Sequence, residues 1–306
     1  MKIVFMGSST FAIPSLRILK QAQYDVKAVY SQPPRKAGRG KRYKEVPLAE
    51  FAFSQGLKVE QPQTFNDPDV LAVLNSYKPD FLVVVAYGLV LPREVLEIPK
   101  EFSINVHGSF LPFWRGAAPI NHAIFNKDPF TGVTIIKMSE ELDAGPILRQ
   151  EKVMLDHTET FGSLHRVLSE LGAKNLLKTL NNINANEEIL QNERFVSYAP
   201  KIKKLDAKLD FNSEASALEA RIRGLAPTPG AWFEYKKERF KVFSAEVVEG
   251  NGKAGSIINE NLTIACGKKA LNILEIQRQG KDVMTVSDLL RGFKFKKGDY
   301  VNQSTH

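Results

Sequence analysis

Five short apolar runs punctuate the first half of the chain, at residues 2–6, 26–30, 81–86, 104–107 and 133–138, and the stretches between them carry apolar residues at helical intervals. Phe81-Leu82-Val83-Val84-Val85 shows no alternation, the pattern of a strand covered on both faces. Residues 11–21 and 67–77 have helical spacing, and Asn66-Asp67-Pro68 supplies a cap and a first-turn proline for the second. Strands alternating with helices predict an α/β domain built on a doubly wound, mostly parallel sheet of the Rossmann-like kind, with all five runs as parallel strands. Ligands of such sheets sit beyond the carboxyl ends of the strands, so Gly7-Ser8-Ser9, Tyr87-Gly88 and Asn105-Val106-His107-Gly108 are expected to converge. The turn Gly7-Ser8-Ser9-Thr10-Phe11 lacks the second and third glycines of a dinucleotide fingerprint, which argues against a nicotinamide nucleotide.

Residues 160–181 predict a long helix, and the Asn- and Glu-rich stretch 182–192 predicts a domain boundary. Beyond it the pattern changes to short strands with glycine punctuation, at 239–248, 255–259, 262–266 and 271–277, which predicts a small β-rich barrel. The expected organisation is a catalytic domain over 1–189, a linker over 190–206 and a C-terminal barrel over 207–306.

With 306 residues, 43% of them hydrophobic and 25% charged, the chain suits two packed domains. Its single cysteine, Cys266, and five scattered histidines exclude an internal disulfide and offer no zinc-site spacing. The N-terminus begins at once as a strand with no room for a leader, and the run at 81–86 is far short of the roughly 20 residues that span a bilayer. A cytoplasmic monomer without a membrane partner is the expectation. The excess of 42 Lys+Arg over 34 Asp+Glu favours a polyanionic partner. Three clusters carry it: Arg35, Lys36, Arg39, Lys41 and Arg42, interleaved with Gly38, Gly40 and Tyr43; Lys203 and Lys204; and Lys294, Lys296 and Lys297. Each is read as a phosphate contact on RNA, against the plainer reading of a solvated charged loop.

Asn105 and His107 are two apart, so on a strand they share a face at about 7 Å spacing. A neutral amide donates to a developing oxyanion without titrating, and imidazole exchanges protons near neutrality, a pairing that suits acyl transfer. A structural histidine is the competing reading. Asp143, in Leu142-Asp143-Ala144-Gly145-Pro146, reads alone as a turn residue; beside His107 it would orient the ring. Trp114 and Arg115 lie in a loop entering a helix at Pro119 and are candidates for a lid or an anchor, or simply for loop packing.

Ala37-Gly38-Arg39-Gly40-Lys41, Val83-Val84-Val85-Ala86-Tyr87-Gly88, Ile104-Asn105-Val106-His107-Gly108-Ser109, Trp114-Arg115-Gly116-Ala117-Ala118-Pro119-Ile120, Thr131-Gly132-Val133-Thr134-Ile135 and Leu142-Asp143-Ala144-Gly145 together resemble the folate-dependent formyltransferases, nearly end to end. The resemblance implies 10-formyltetrahydrofolate as donor, Asn105, His107 and Asp143 as the catalytic set, and no metal. It also implies a pterin cleft formed by Val85, Ala86, Tyr87, Gly88, Ser109, Phe110, Leu111, Pro112, Trp114 and Arg115. Asn-x-His with a downstream aspartate is shared across the superfamily and does not name the acceptor. Tyr198-Ala199-Pro200-Lys201-Ile202, Leu209-Asp210-Phe211 and the stretch from Ile222 to Trp232 resemble the linker and OB-like barrel of members acting on RNA. With the basic glycine-rich loop they imply the α-amino group of methionyl initiator tRNA as acceptor; a small amine, on an amino sugar or a nucleotide, is the alternative. Phe113 departs from the basic residue some members carry before the tryptophan. A non-catalytic RNA-binding protein would account for the basic clusters but leaves Asn105, His107 and Asp143 without a reason.

Overall fold

The computed structural model describes residues 1–37, 42–185 and 187–302. The chain divides into two compact units: Met1–Pro119, Thr131–Val153 and His165–Ala199 in the first, and Ile120–Phe130, Met154–Leu164 and the chain from Pro200 in the second.

The first unit is built on a seven-stranded sheet in the order Ile147–Met154, Phe130–Lys137, Phe102–His107, Phe81–Val85, Lys2–Gly7, Asp25–Tyr30, Val59–Glu60. The five strands from Phe102–His107 to Val59–Glu60 are mutually parallel. Every residue of Phe81–Val85 is buried, as its unbroken apolar run requires. The helix Ile13–Gln21 starts from a 3₁₀ turn whose cap, the Ser9 hydroxyl, accepts from Phe11 N, and Pro14 takes its first turn. It buries Leu16 and Leu19 completely, each contributing about 2 kcal/mol of apolar burial. The helix Pro68–Ser76 is capped by Asp67, which accepts from Asp69 N at 3.0 Å.

One expectation is corrected. Phe130–Lys137 runs antiparallel to Phe102–His107, with His107 opposite Thr134 and Ile104 opposite Lys137. Lys137 N then bonds Pro146 O at 3.0 Å, so the last two strands close as a hairpin through the turn that carries Asp143. Residues 131–136 are buried without alternation, and that pattern reports coverage on both faces, not strand direction.

The second unit holds an antiparallel sheet of Ala231–Tyr235, Glu238–Val248, Ala270–Arg278 and Thr263–Ala265, with Met284–Thr285 paired to Ala270–Arg278. Register shifts at Val242, Ser244 and Ala245 bend the long central strand, and the sheet curls into a half-barrel. Leu218, Ile222 and Leu225 of the helix Ala215–Leu225 join Phe233, Phe240 and Val242 in its core. The strand expected at 255–259 is reduced to single bridges, Ser256 to Tyr300 and Ile257 to Ile264, following Gly255 at φ +81°. The turn joining the first two strands uses Lys236 and Lys237, both left-handed at φ +48° and +66°, where Asn-Gly is the usual signal. Among the described residues, no helix is long and apolar enough to cross a membrane.

Candidate active site

Gly7 ends the first strand against Val85: a Cβ on Gly7 would stand 2.7 Å from Val85 O, so the two strand ends approach only because the residue is glycine. Beyond them Ser8 Oγ donates to Tyr87 O at 2.9 Å and accepts from Gln32 N at 3.1 Å, which gathers three strand ends at one edge of the sheet. Asn105 lies opposite Val84 on one side and Ile136 on the other, and His107 follows at the strand's end, buried.

The turn after Lys137 leaves the sheet beside Ser103, with Met138 N bonded to Ser103 O, and folds back along the Asn105 strand. Gly145 sits so close to that strand's neighbour that an added Cβ would collide with Lys137 O. Asp143 adopts φ +52°, a conformation that costs a non-glycine residue of order 1–3 kcal/mol and persists only where surrounding contacts impose it. Its carboxylate accepts from Asn105 Nδ2 at 3.1 Å through Oδ1 and from Gly116 N at 2.8 Å through Oδ2, and Oδ2 stands 3.5 Å from His107 Nδ1. His107 Nε2 is 2.9 Å from Trp114 O; a carbonyl only accepts, so the ring donates there and turns Nδ1 to the carboxylate. Amide, imidazole and carboxylate thus meet in one cluster, from chain segments 38 residues apart.

The residues expected around a pterin divide by exposure. Ala86 and Gly88 are exposed, and both take left-handed backbone, at φ +47° and +78°. Phe110, Pro112 and Trp114 are half-buried. Val85, Tyr87, Ser109, Leu111 and Arg115 are buried. Leu111 packs with Ile136 and Ile147, and Ser109 Oγ donates to Phe113 O. Burial pushes the Tyr87 hydroxyl above the ordinary tyrosine range and keeps it neutral; among the described residues it has no hydrogen-bond partner. Arg115, expected as a lid or anchor, is fully buried: its Nε donates to Gln191 Oε1 at 3.1 Å and its Nη2 to Glu193 Oε1 at 2.7 Å. Burial opposes its charge, but the Glu193 carboxylate together with the Tyr198 hydroxyl outweighs this and holds the guanidinium above its usual value.

Of the basic candidates, Arg35–Ala37 and Arg42–Lys44 pair as the arms of an antiparallel hairpin, while Arg39 and Lys41 lie outside the described residues. Arg35 bonds Gln32 Oε1, and Lys36 Nζ stands 5.6 Å from the centroid of the exposed Tyr43 ring. In the second unit Lys203, Lys204, Lys294, Lys296 and Lys297 are exposed, while Phe295 turns inward. Lys236, Lys237 and Arg239 are exposed as well, with the Arg239 guanidinium 3.9 Å over the Trp232 ring, and only the unmarked hairpin turn brings these cations forward. Sequence reasoning also passes over Gln191 and Glu193, which bond the site from a stretch whose polar composition reads as linker.

A parallel-dominated sheet with an amide, an imidazole and a carboxylate gathered at its carboxyl edge defines the class: an acyl-transfer enzyme. Residues 1–180 match the formyl transferase family and residues 201–294 the formyl transferase C-terminal domain. The methionyl-tRNA formyltransferase of Paramagnetospirillum magneticum is 42% identical over 301 residues, covering 97% of this chain and 99% of its own. That of Rhizorhabdus wittichii is 42% identical over 300 residues, covering 97% of each. Among solved structures, HypX from Aquifex aeolicus in complex with tetrahydrofolic acid shares the fold, with TM-score 0.65 at 18% identity over 99% of this chain and 51% of its own. The chain belongs to the formyl transferase family, among the methionyl-tRNA formyltransferases.

Proposed function

We propose that this protein transfers the formyl group of 10-formyltetrahydrofolate to the α-amino group of methionine esterified to initiator tRNA. The observation that carries the reading is the cluster of Asn105, His107 and Asp143 at the carboxyl edge of the sheet, in a chain 42% identical to methionyl-tRNA formyltransferases over nearly its whole length. 10-Formyltetrahydrofolate supplies an activated formyl carbon. The exposed residues Ala86 and Gly88 and the half-buried Phe110, Pro112 and Trp114 fit a flat, polar-edged ring, a role that Leu111 and Arg115 serve by supporting the loop.

As the acceptor amine attacks the formyl carbon, Asn105, which spends one amide hydrogen on Asp143, directs the other to the oxygen as it gains charge. The His107–Asp143 pair takes up the proton the amine gives up and returns it toward the nitrogen that leaves. Trp114 O and Asp143 Oδ2 hold the two ring nitrogens, so the imidazole keeps one orientation through both proton movements.

A tRNA acceptor is favoured over a small amine by the C-terminal region that matches the family at 201–294 and by its exposed cations. In this reading the chain from 207 onward is the tRNA-binding domain, an OB-like half-barrel, and the hairpin arms at 35–37 and 42–44 are a second phosphate-binding element. Replacing Arg42, Lys294, Lys296 and Lys297 by glutamine is expected to weaken tRNA binding and to flatten its dependence on salt by roughly one unit of log–log slope for each phosphate no longer neutralised. Affinity measured between low and moderate salt checks this; an unchanged slope would mean these cations are merely solvated. The activity itself is tested by incubating the protein with 10-formyltetrahydrofolate and either charged or uncharged initiator tRNA. Formyl-methionine on the charged species alone is expected, and no product on it overturns the reading.

A further inference from the structure

Residues 187–199 form a strap across the site. Ile189 exchanges both backbone hydrogen bonds with Ile147, at 2.8 and 2.9 Å. Farther along, Trp114 N donates to Ser197 Oγ at 2.9 Å and Arg115 N to Ser197 O at 2.8 Å. Between these anchors the Gln191 amide has all its main hydrogen-bonding capacity in use: Nε2 donates to Asp143 O at 2.7 Å and to Gly145 O at 2.8 Å, and Oε1 accepts from Arg115 Nε at 3.1 Å. Its orientation is over-determined, because a flipped amide would set Oε1 against two carbonyls and Nε2 against a guanidinium N–H. Arg115 is in turn fixed by burial and by Glu193.

The Gln191 bonds land on either side of Ala144, on the carbonyls of Asp143 and Gly145, and Asp143 is the residue held at φ +52°. A left-handed aspartate released from these two bonds has a lower-energy extended backbone available to it, and that change would swing its carboxylate away from Asn105, His107 and Gly116 N.

We propose that Gln191 is a positioning residue for the transfer reaction, holding Asp143 in the conformation that aims its carboxylate at His107 and Asn105 without itself touching a substrate. The proposal rests on the function proposed above. Gln191→Glu keeps the side chain's shape but replaces both donors by acceptors facing two carbonyls; Gln191→Ala removes them outright. For each, kcat is expected to fall about 10²-fold, the scale for a catalytic group misplaced by about an ångström, with KM for folate donor and tRNA changed less than about threefold. The readout that separates positioning from general support is coupling: in an Asp143→Asn background, Gln191→Glu is expected to cause little further loss, because the group it positions is already disabled. A wild-type kcat in both Gln191 variants, a loss confined to KM, or the same 10²-fold loss repeated in the Asp143→Asn background would each overturn the proposal. Absence of transfer by the unaltered protein would instead overturn the functional reading beneath it.

Discussion

Replacing Asp143 by asparagine is expected to lower turnover by about 10³- to 10⁴-fold, the scale seen elsewhere when an aspartate that orients a catalytic histidine becomes an amide. The reason lies in the donors around it. Asn105 Nδ2 and Gly116 N donate to its two oxygens, and the His107 ring, once it has taken up a proton at Nδ1, donates there as well, so a carboxylate accepts from all three. An amide offers one oxygen and one NH₂. With the NH₂ at Oδ2 it opposes Gly116 N–H and leaves His107 without an anionic partner; with the NH₂ at Oδ1 it opposes Asn105. Either placement disturbs the group that handles the proton or the group that faces the oxyanion. The substitution is nearly isosteric and the site is held by backbone pairing, so the variant is expected to fold, with a circular dichroism spectrum like that of the unaltered protein. Single-turnover formylation at saturating substrates measures the loss, and a rate within threefold of wild type would remove Asp143 from the chemistry.

Asn105→Ala is expected to cost about 10²- to 10³-fold in turnover, the usual loss on deleting one oxyanion donor. Strand pairing on both sides, to Val84 and to Ile136, keeps the backbone in place, so binding of the folate and of the tRNA is expected to change little. The split is the informative part: a donor that acts only as charge develops lowers kcat and leaves KM nearly alone. An unchanged kcat would assign Asn105 to structure only.

Much of this arrangement was legible in the chain, and what was not has physical causes. Phe81–Val85 announces a covered strand because burial on both faces leaves no polar position. Asn105 and His107 stand out because a strand's period of two puts them on one face. That period says nothing of direction, which is why Phe130–Lys137 reads as parallel when it returns antiparallel. Asp143 looks like any turn residue until its turn is seen folding back; the mark it does carry is Gly145, whose missing Cβ lets the turn lie on Lys137. Arg115 looks like a free cation because its partners, Gln191 and Glu193, lie more than seventy residues on, at separations of 76 and 78. Those partners sit in an Asn- and Glu-rich stretch without periodicity, where their role depends on tertiary contacts alone. Lys236 and Lys237 conceal a hairpin for a related reason: the turn is imposed by the strands it joins, not by the residues that make it.

The measurement closest to the central claim is single-turnover formylation of methionyl initiator tRNA by the unaltered protein, Asn105→Ala, Asp143→Asn and the double variant, with tRNA affinity measured in parallel. If amide, imidazole and carboxylate act as one unit, each single variant loses most of the rate while tRNA affinity holds. The double variant then falls well short of the product of the two losses, because groups that share one hydrogen-bonded cluster are not additive. Rates near wild type in both single variants, or two losses that multiply as independent sites do, would contradict it.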